Sequence, residues 1–130
     1  MRSSRIMCCM GSGIAELIVW QEAVALAADT IEVCRLFSGP GGPAAAEQII
    51  RAVESIPANI AEGYGRGVNK DCLRFLRIAR SSADEVETRL HVSAKCRRLS
   101  PQDADRLINH TRRVRYLIQR FYQSVERRAA

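Results

Sequence analysis

Arg106, Arg113, Arg120 and Arg127 recur every seven residues near the end of the chain. Seven residues make close to two helical turns, so the series forms one stripe with neighbours roughly 10.5 Å apart along the axis. Such a ladder can follow a line of phosphates, and Arg97, Arg98 and Arg112 fall near enough to widen it. Tyr116 and Tyr122 lie on the same segment, where a phenol ring either stacks on a nucleobase or packs at an interface. A solvated arginine-rich face accounts for the same pattern equally well. Residues 1–96 carry eleven Lys or Arg and eleven Asp or Glu, whereas residues 97–130 carry nine Arg and three acids, so the whole net charge of +6 sits in the last quarter. A charge excess gathered in one segment points to RNA, DNA or another polyanion as partner.

Acid–base chemistry has weaker candidates. Glu62, Glu87 and His91 have suitable side chains, but two histidines at unrelated positions build neither a triad nor a metal set. Glu54, Asp84 and Glu87 lack the Glu-x-x-His pairing of di-iron bundles. The glycines of "GYGRG" at 63–67 follow a helical segment, where a phosphate-binding loop would precede one. These residues read as a non-enzyme with no cofactor and no metal, with His91 and His110 at the surface or an edge. The five cysteines, Cys8, Cys9, Cys34, Cys72 and Cys96, are odd in number and contain no CxxC pair. That argues against a disulfide framework or a zinc site and for buried or semi-buried free thiols in a reducing cytoplasm.

The elements that must position these groups are helical. Ala, Leu, Glu and Arg dominate and aromatics make up only 5%, which favours helices over a β-sandwich. A first helix is expected over about Ile14–Phe37, with Leu17, Val24, Ala28 and Ile31 facing inward and Trp20 and Ala27 widening the face. "SGPGGP" at 38–43 stops it. A second spans about Ala44–Tyr64. A third spans about Asn69–Arg98, capped by Asn69, with Cys72, Leu76, Ala79, Ala83, Val86 and Leu90 as its seam and Arg80 paired with Asp84 one turn on. Its extra apolar residues, Leu73, Phe75 and Ile78, cannot all face one core, which points to a subunit interface. The fourth opens at Ser100 with Pro101 and Asp103 in its first turn and ends near Arg127. Its seam is Ala104, Leu107, Thr111, Val114, Ile118, Phe121 and Val125. Short connections imply antiparallel neighbours, hence an all-α, up-down-up-down four-helix bundle over residues 14–128. Residues 1–13 read as a disordered leader, with Met7 or Met10 as alternative starts. Its apolar patch is too short for a signal peptide, and no run reaches membrane-spanning length.

The stretch "SIPANIAEGYGRG" at 55–67 interrupts the second helix with unusual residues. Pro57 has no N–H for the carbonyl of Val53, so the helix is expected to kink there while continuing, with Ile56 and Ile60 still facing inward. Ser55 and Asn59 can bond the freed backbone, and Gly63 and Gly65 can end the helix in the left-handed conformation. Asn59 and Glu62 are expected to make buried or half-buried structural hydrogen bonds between helices. Glu62, near the helix C-terminus, needs a cation such as Arg66 or Arg51.

The same stretch, with "LIVWQEAVALA" at 17–27 and "FLRIARSSADEVETRL" at 75–90, resembles the four-helix-bundle family linked to 23S rRNA intervening sequences. The resemblance spans about residues 15–125. Relatives in that family include the accessory variability protein of diversity-generating retroelements, a basic pentameric bundle. The resemblance implies a homopentameric bundle without established enzyme activity. Two expectations follow: a cytoplasmic homo-oligomer that binds RNA or DNA through its basic surface, or a pentameric adaptor that binds a protein partner and no nucleic acid.

Overall fold

The structure is a computed structural model that describes residues 13–129. Met7, Cys8, Cys9 and Met10, and the leader apart from Gly13, lie outside those residues. A short 3-10 turn at Ile14–Glu16 leads into four α-helices: α1 Ile18–Cys34, α2 Gly42–Gly65, α3 Lys70–Lys95 and α4 Pro101–Ala129. The described residues contain no strand, so the fold is all-α and consistent with a four-helix bundle.

The start signals act as polar caps. Asn69 accepts a hydrogen bond from the Cys72 backbone N–H at 3.1 Å, and its own amide donates to the Arg66 carbonyl at 2.7 Å. Ser100 Oγ accepts from the Asp103 N–H at 3.1 Å, with Pro101 as the first residue of α4. Helix α2 starts at Gly42, earlier than the expected Ala44, because a proline such as Pro43 fits the first turn, where no intrahelical donor is required. Its partner α1 starts later and stops sooner than expected. Leu17 is extended and fully buried, so the helix begins after it, and the chain leaves the helix after Cys34.

Helix α2 runs unbroken through Pro57. The glycine stop differs from expectation. Gly63 and Gly65 both stay helical, and the left-handed residue is Gly67, at φ 84. Gly63 is buried for another reason. A Cβ there would stand 3.1 Å from the Cys72 carbonyl oxygen and 3.2 Å from the Phe75 Cβ, so the missing side chain lets α2 and α3 approach closely.

One core joins all four helices. The seams expected for α3 and α4 are buried in full. The expected α1 seam holds in part: Leu17 and Ala27 are buried and Trp20 and Ile31 pack against the core, but Val24 and Ala28 are exposed, while Val19, Ala23, Leu26, Thr30 and Val33 face inward. Helix α1 is apolar on nearly every side, so periodicity alone leaves its rotation open. Helix α1 packs on α2 and α4, and α3 packs on α2 and α4. Hydrogen bonds step in opposite directions along α3 and α4, with Glu87 meeting Arg112, Asp84 meeting Arg115 and Arg77 meeting Tyr122.

Candidate nucleic-acid interface

The arginine stripe of α4 divides into two parts with different surroundings. In the first half, the guanidinium groups meet acids. Arg106 forms a forked pair with Asp29 of α1, Nε to Oδ2 at 3.1 Å and Nη2 to Oδ1 at 2.9 Å, and also donates to Asp103 at 2.6 Å. The Arg106 hydrogen bond holds the Asp29 carboxyl below its usual range. Arg113 reaches Glu22 of α1 at 3.2 Å, beside His110, whose Nε2 lies 3.1 Å from the same carboxylate oxygen. These contacts pin α4 to α1.

On the other flank, Glu87 of α3 accepts from Arg112 at 2.8 Å and from Arg115 at 2.8 Å, and lies 3.2 Å from His91. The Arg112 hydrogen bond, opposed by burial and helped by Arg115 and His91, lowers the Glu87 carboxyl to about 2. Arg115 also reaches Asp84 at 3.1 Å. That contact corrects the expected Arg80–Asp84 pair, because α4 supplies Asp84 with a cation from across the helix interface.

Arg80 instead donates to the Gln119 side-chain oxygen. One turn further back along α3, Arg77 donates to Tyr122 Oη at 2.7 Å. Both guanidinium groups lie over the Tyr122 ring, at 5.9 and 5.6 Å from its centre. On the outer face of α4, Arg120 donates to Tyr116 Oη at 2.9 Å and lies 5.8 Å from that ring's centre. Arg77, Arg80 and Arg120 therefore have neutral oxygens as partners and no described acid within ion-pair distance. Arg97, Arg98 and Arg127 also lack an ion pair with a described acid. Arg97 occupies a left-handed position, φ 60, in the turn between α3 and α4.

Of the expected site residues, Arg106, Arg112 and Arg113 are thus held in ion pairs, while Arg97, Arg98, Arg120 and Arg127 are not. Arg77 and Arg80, also without an acid, are not among the residues that the sequence singles out. They belong to the part of the chain whose total charge balances, and a count by segment hides a local excess. The signal was two arginines three apart on the side of α3 that meets the tyrosine-bearing end of α4.

The stretch at 55–67 builds a polar relay. Asn59 donates to the Ser55 carbonyl at 2.8 Å and lies 3.0 Å from Ser55 Oγ, which shares a 2.9 Å hydrogen bond with Ser82 Oγ of α3. Ser55 is thus the residue that crosses between helices, and Asn59 bonds within its own helix. Glu62 is exposed and pairs with Arg66 one turn on, at 3.1 Å, in place of the expected inter-helix bond. Its position at the helix end leaves it facing solvent, where the nearest cation is on its own helix.

Burial pushes the thiols of Cys34 and Cys72 up to about 11, so both are inert packing groups, whereas Cys96 is exposed in the α3–α4 turn. Among the described residues no three His, Cys, Asp or Glu side chains gather as a metal site, and no helix is long and apolar enough to cross a membrane. Residues 15–120 match the family described as 23S rRNA-intervening sequence protein. The chain belongs to that family of helical proteins. No curated protein matches it.

Proposed function

We propose that this chain is a non-enzymatic, oligomeric helical bundle that binds RNA or DNA through the basic surface where α3 meets the second half of α4. The observation that carries this reading is the set of guanidinium groups at Arg77, Arg80 and Arg120, fixed by neutral partners and uncommitted to any described acid. An arginine already paired with a carboxylate must give up that pair to meet a phosphate, whereas these three need not. The family name, with its reference to rRNA, supports a nucleic-acid partner. Glu87, held ionised by its arginines, is poorly placed to exchange protons near neutral pH, which supports a non-enzyme.

The test compares the parent with an Arg77→Gln/Arg80→Gln/Arg120→Gln variant in RNA binding across a salt series. Each phosphate contact removed is expected to flatten the slope of log affinity against log salt by about one unit. An Arg106→Gln/Arg113→Gln variant is expected to lose stability more than salt dependence. Unchanged binding by the first variant, while folded, would place the RNA contact on another surface, and no binding by the parent even at low salt would favour the adaptor reading. That second reading, a pentameric ring that presents a protein-binding surface, has its own support in the exposed apolar residues Val24, Leu36, Ile78 and Val92.

A further inference from the structure

The two tyrosines of the basic surface are not equivalent. Tyr122 is half-buried, with Arg77 and Arg80 both against its ring and its hydroxyl already accepting from Arg77. Its ring and hydroxyl are engaged by two guanidinium groups, which it holds in place. Tyr116 is 57% exposed, projects from the outward side of α4 and has a single arginine, Arg120, beside it. The hydrogen bond from Arg120 to its hydroxyl limits the ring's rotation. An ordered aromatic face open to solvent therefore sits beside the uncommitted Arg120, about 9 Å along α4 and about a third of a turn around it from Tyr122 and its two arginines.

A duplex keeps its base faces stacked inside, so it offers the exposed ring nothing to stack on and engages the arginines through its phosphates. A single strand offers phosphates and unstacked bases together, and an ordered exposed ring gains by stacking on a base. We propose that the partner is a single-stranded polynucleotide, with Tyr116 stacking on a base, Arg120 holding the adjacent phosphate and Arg77 and Arg80 meeting phosphates farther along the strand. This rests on the basic-surface reading above and adds the strandedness of the ligand.

The test uses the full chain, an oligouridylate and the duplex that oligouridylate forms with oligoadenylate, at matched salt. The expected result is tighter binding of the single strand by the parent. Tyr116→Ala is expected to weaken single-strand binding about fivefold or more without changing its salt slope. Tyr116→Phe, which keeps the ring, is expected to retain most of the parent's affinity. Helical circular dichroism checks that both variants stay folded. If the parent binds duplex as tightly as single strand, or Tyr116→Ala binds oligouridylate as the parent does, the single-strand inference is overturned and the basic-surface reading stands. If the parent binds neither at low salt, both fall together.

Discussion

At the scale of single residues, carboxylates do most of the positioning, and their contribution depends on pH. Glu87 draws Arg112 and Arg115 of α4 and His91 of α3 onto one side chain that is only 16% exposed. Its carboxyl is lowered to about 2 from an ordinary 4.5, chiefly by the Arg112 hydrogen bond. A lowered carboxyl stabilises the fold fully above its unfolded value and loses that contribution as the pH falls through the folded one. Glu87→Gln is therefore expected to cost about 1–3 kcal/mol at neutral pH. The gap from the parent should close as the pH is lowered from about 4.5 toward about 2, measured by urea unfolding across that range. A gap that stays constant with pH would place the stabilisation in packing. The relay in α2 gives a second residue-scale expectation. Ser55→Ala strands the Ser82 hydroxyl, which is 9% exposed, and removes one of the two acceptors of the Asn59 amide, which keeps the Ser55 carbonyl. It should cost more than Asn59→Ala, which leaves the Ser55–Ser82 bond intact, with about 1–3 kcal/mol expected for the former. Thermal unfolding of the two variants ranks them.

At the scale of elements, three glycines two residues apart mark the end of α2, and they differ in what they do there: Gly63 provides space, Gly67 a left-handed turn, and Gly65 neither. Alanine at Gly65 meets open space and replaces the weakest common helix former, so it should stabilise by up to about 1 kcal/mol. The same change at Gly63 brings a methyl to 3.1 Å from the Cys72 backbone oxygen, which cannot swing aside as a flexible side chain would. The propensity gain is then lost to forced separation of α2 and α3, and Gly63→Ala should destabilise on balance. At Gly67 there is room, but φ 84 disfavours any side chain, and alanine should cost about 1–2 kcal/mol. Melting temperatures for the three variants, one raised and two lowered, check the assignment. The sequence could not separate these roles, since a glycine run states that small residues are needed and leaves open whether space or dihedral angle demands it. The α3 and α4 seams were legible because polar residues flank them on the opposite side. The α1 seam was legible only in part, because "IVWQEAVALAADTIEV" offers apolar residues to several faces and only packing selects among them.

At the scale of the whole molecule, the net charge read from the sequence locates an excess in the last quarter, while the fold redistributes it. Acids of α1 and α3 occupy Arg106, Arg112, Arg113 and Arg115, and uncommitted charge is carried by Arg77 and Arg80 of α3, beside Tyr122 and Gln119, and by Arg120 on the outer face of α4. That redistribution depends on which helices are neighbours, which a linear charge count does not contain. The remaining unanswered surface is apolar. Of the α3 residues expected to mark a subunit interface, Leu73 packs on the core and Phe75 lies beneath the guanidinium groups of Arg66 and Arg74, leaving Ile78 exposed. A shallow groove between α1 and α2, lined by Trp20, Val24, Ala27, Pro57, Ala58 and Ala61 with Glu54 beside them, adds apolar surface. Burying such a face against another copy stabilises an assembly at about 25 cal/mol per Å² of apolar area removed from water. We therefore expect an oligomer at micromolar concentration by light scattering, with five chains as the size that the family resemblance implies. Val24→Arg places a charge in the groove without touching the core and should release monomers that keep their helical content. An assembly also repeats the basic surface, so a long strand can engage several copies at once, and effective concentration multiplies a weak single contact. The monomeric variant should then bind a long single strand roughly a hundredfold or more weakly than the parent, yet bind a short one nearly as well. Equal weakening for both lengths would place Val24 in the binding surface itself, and an unchanged mass would leave the exposed Ile78 side of α3 as the face to alter next.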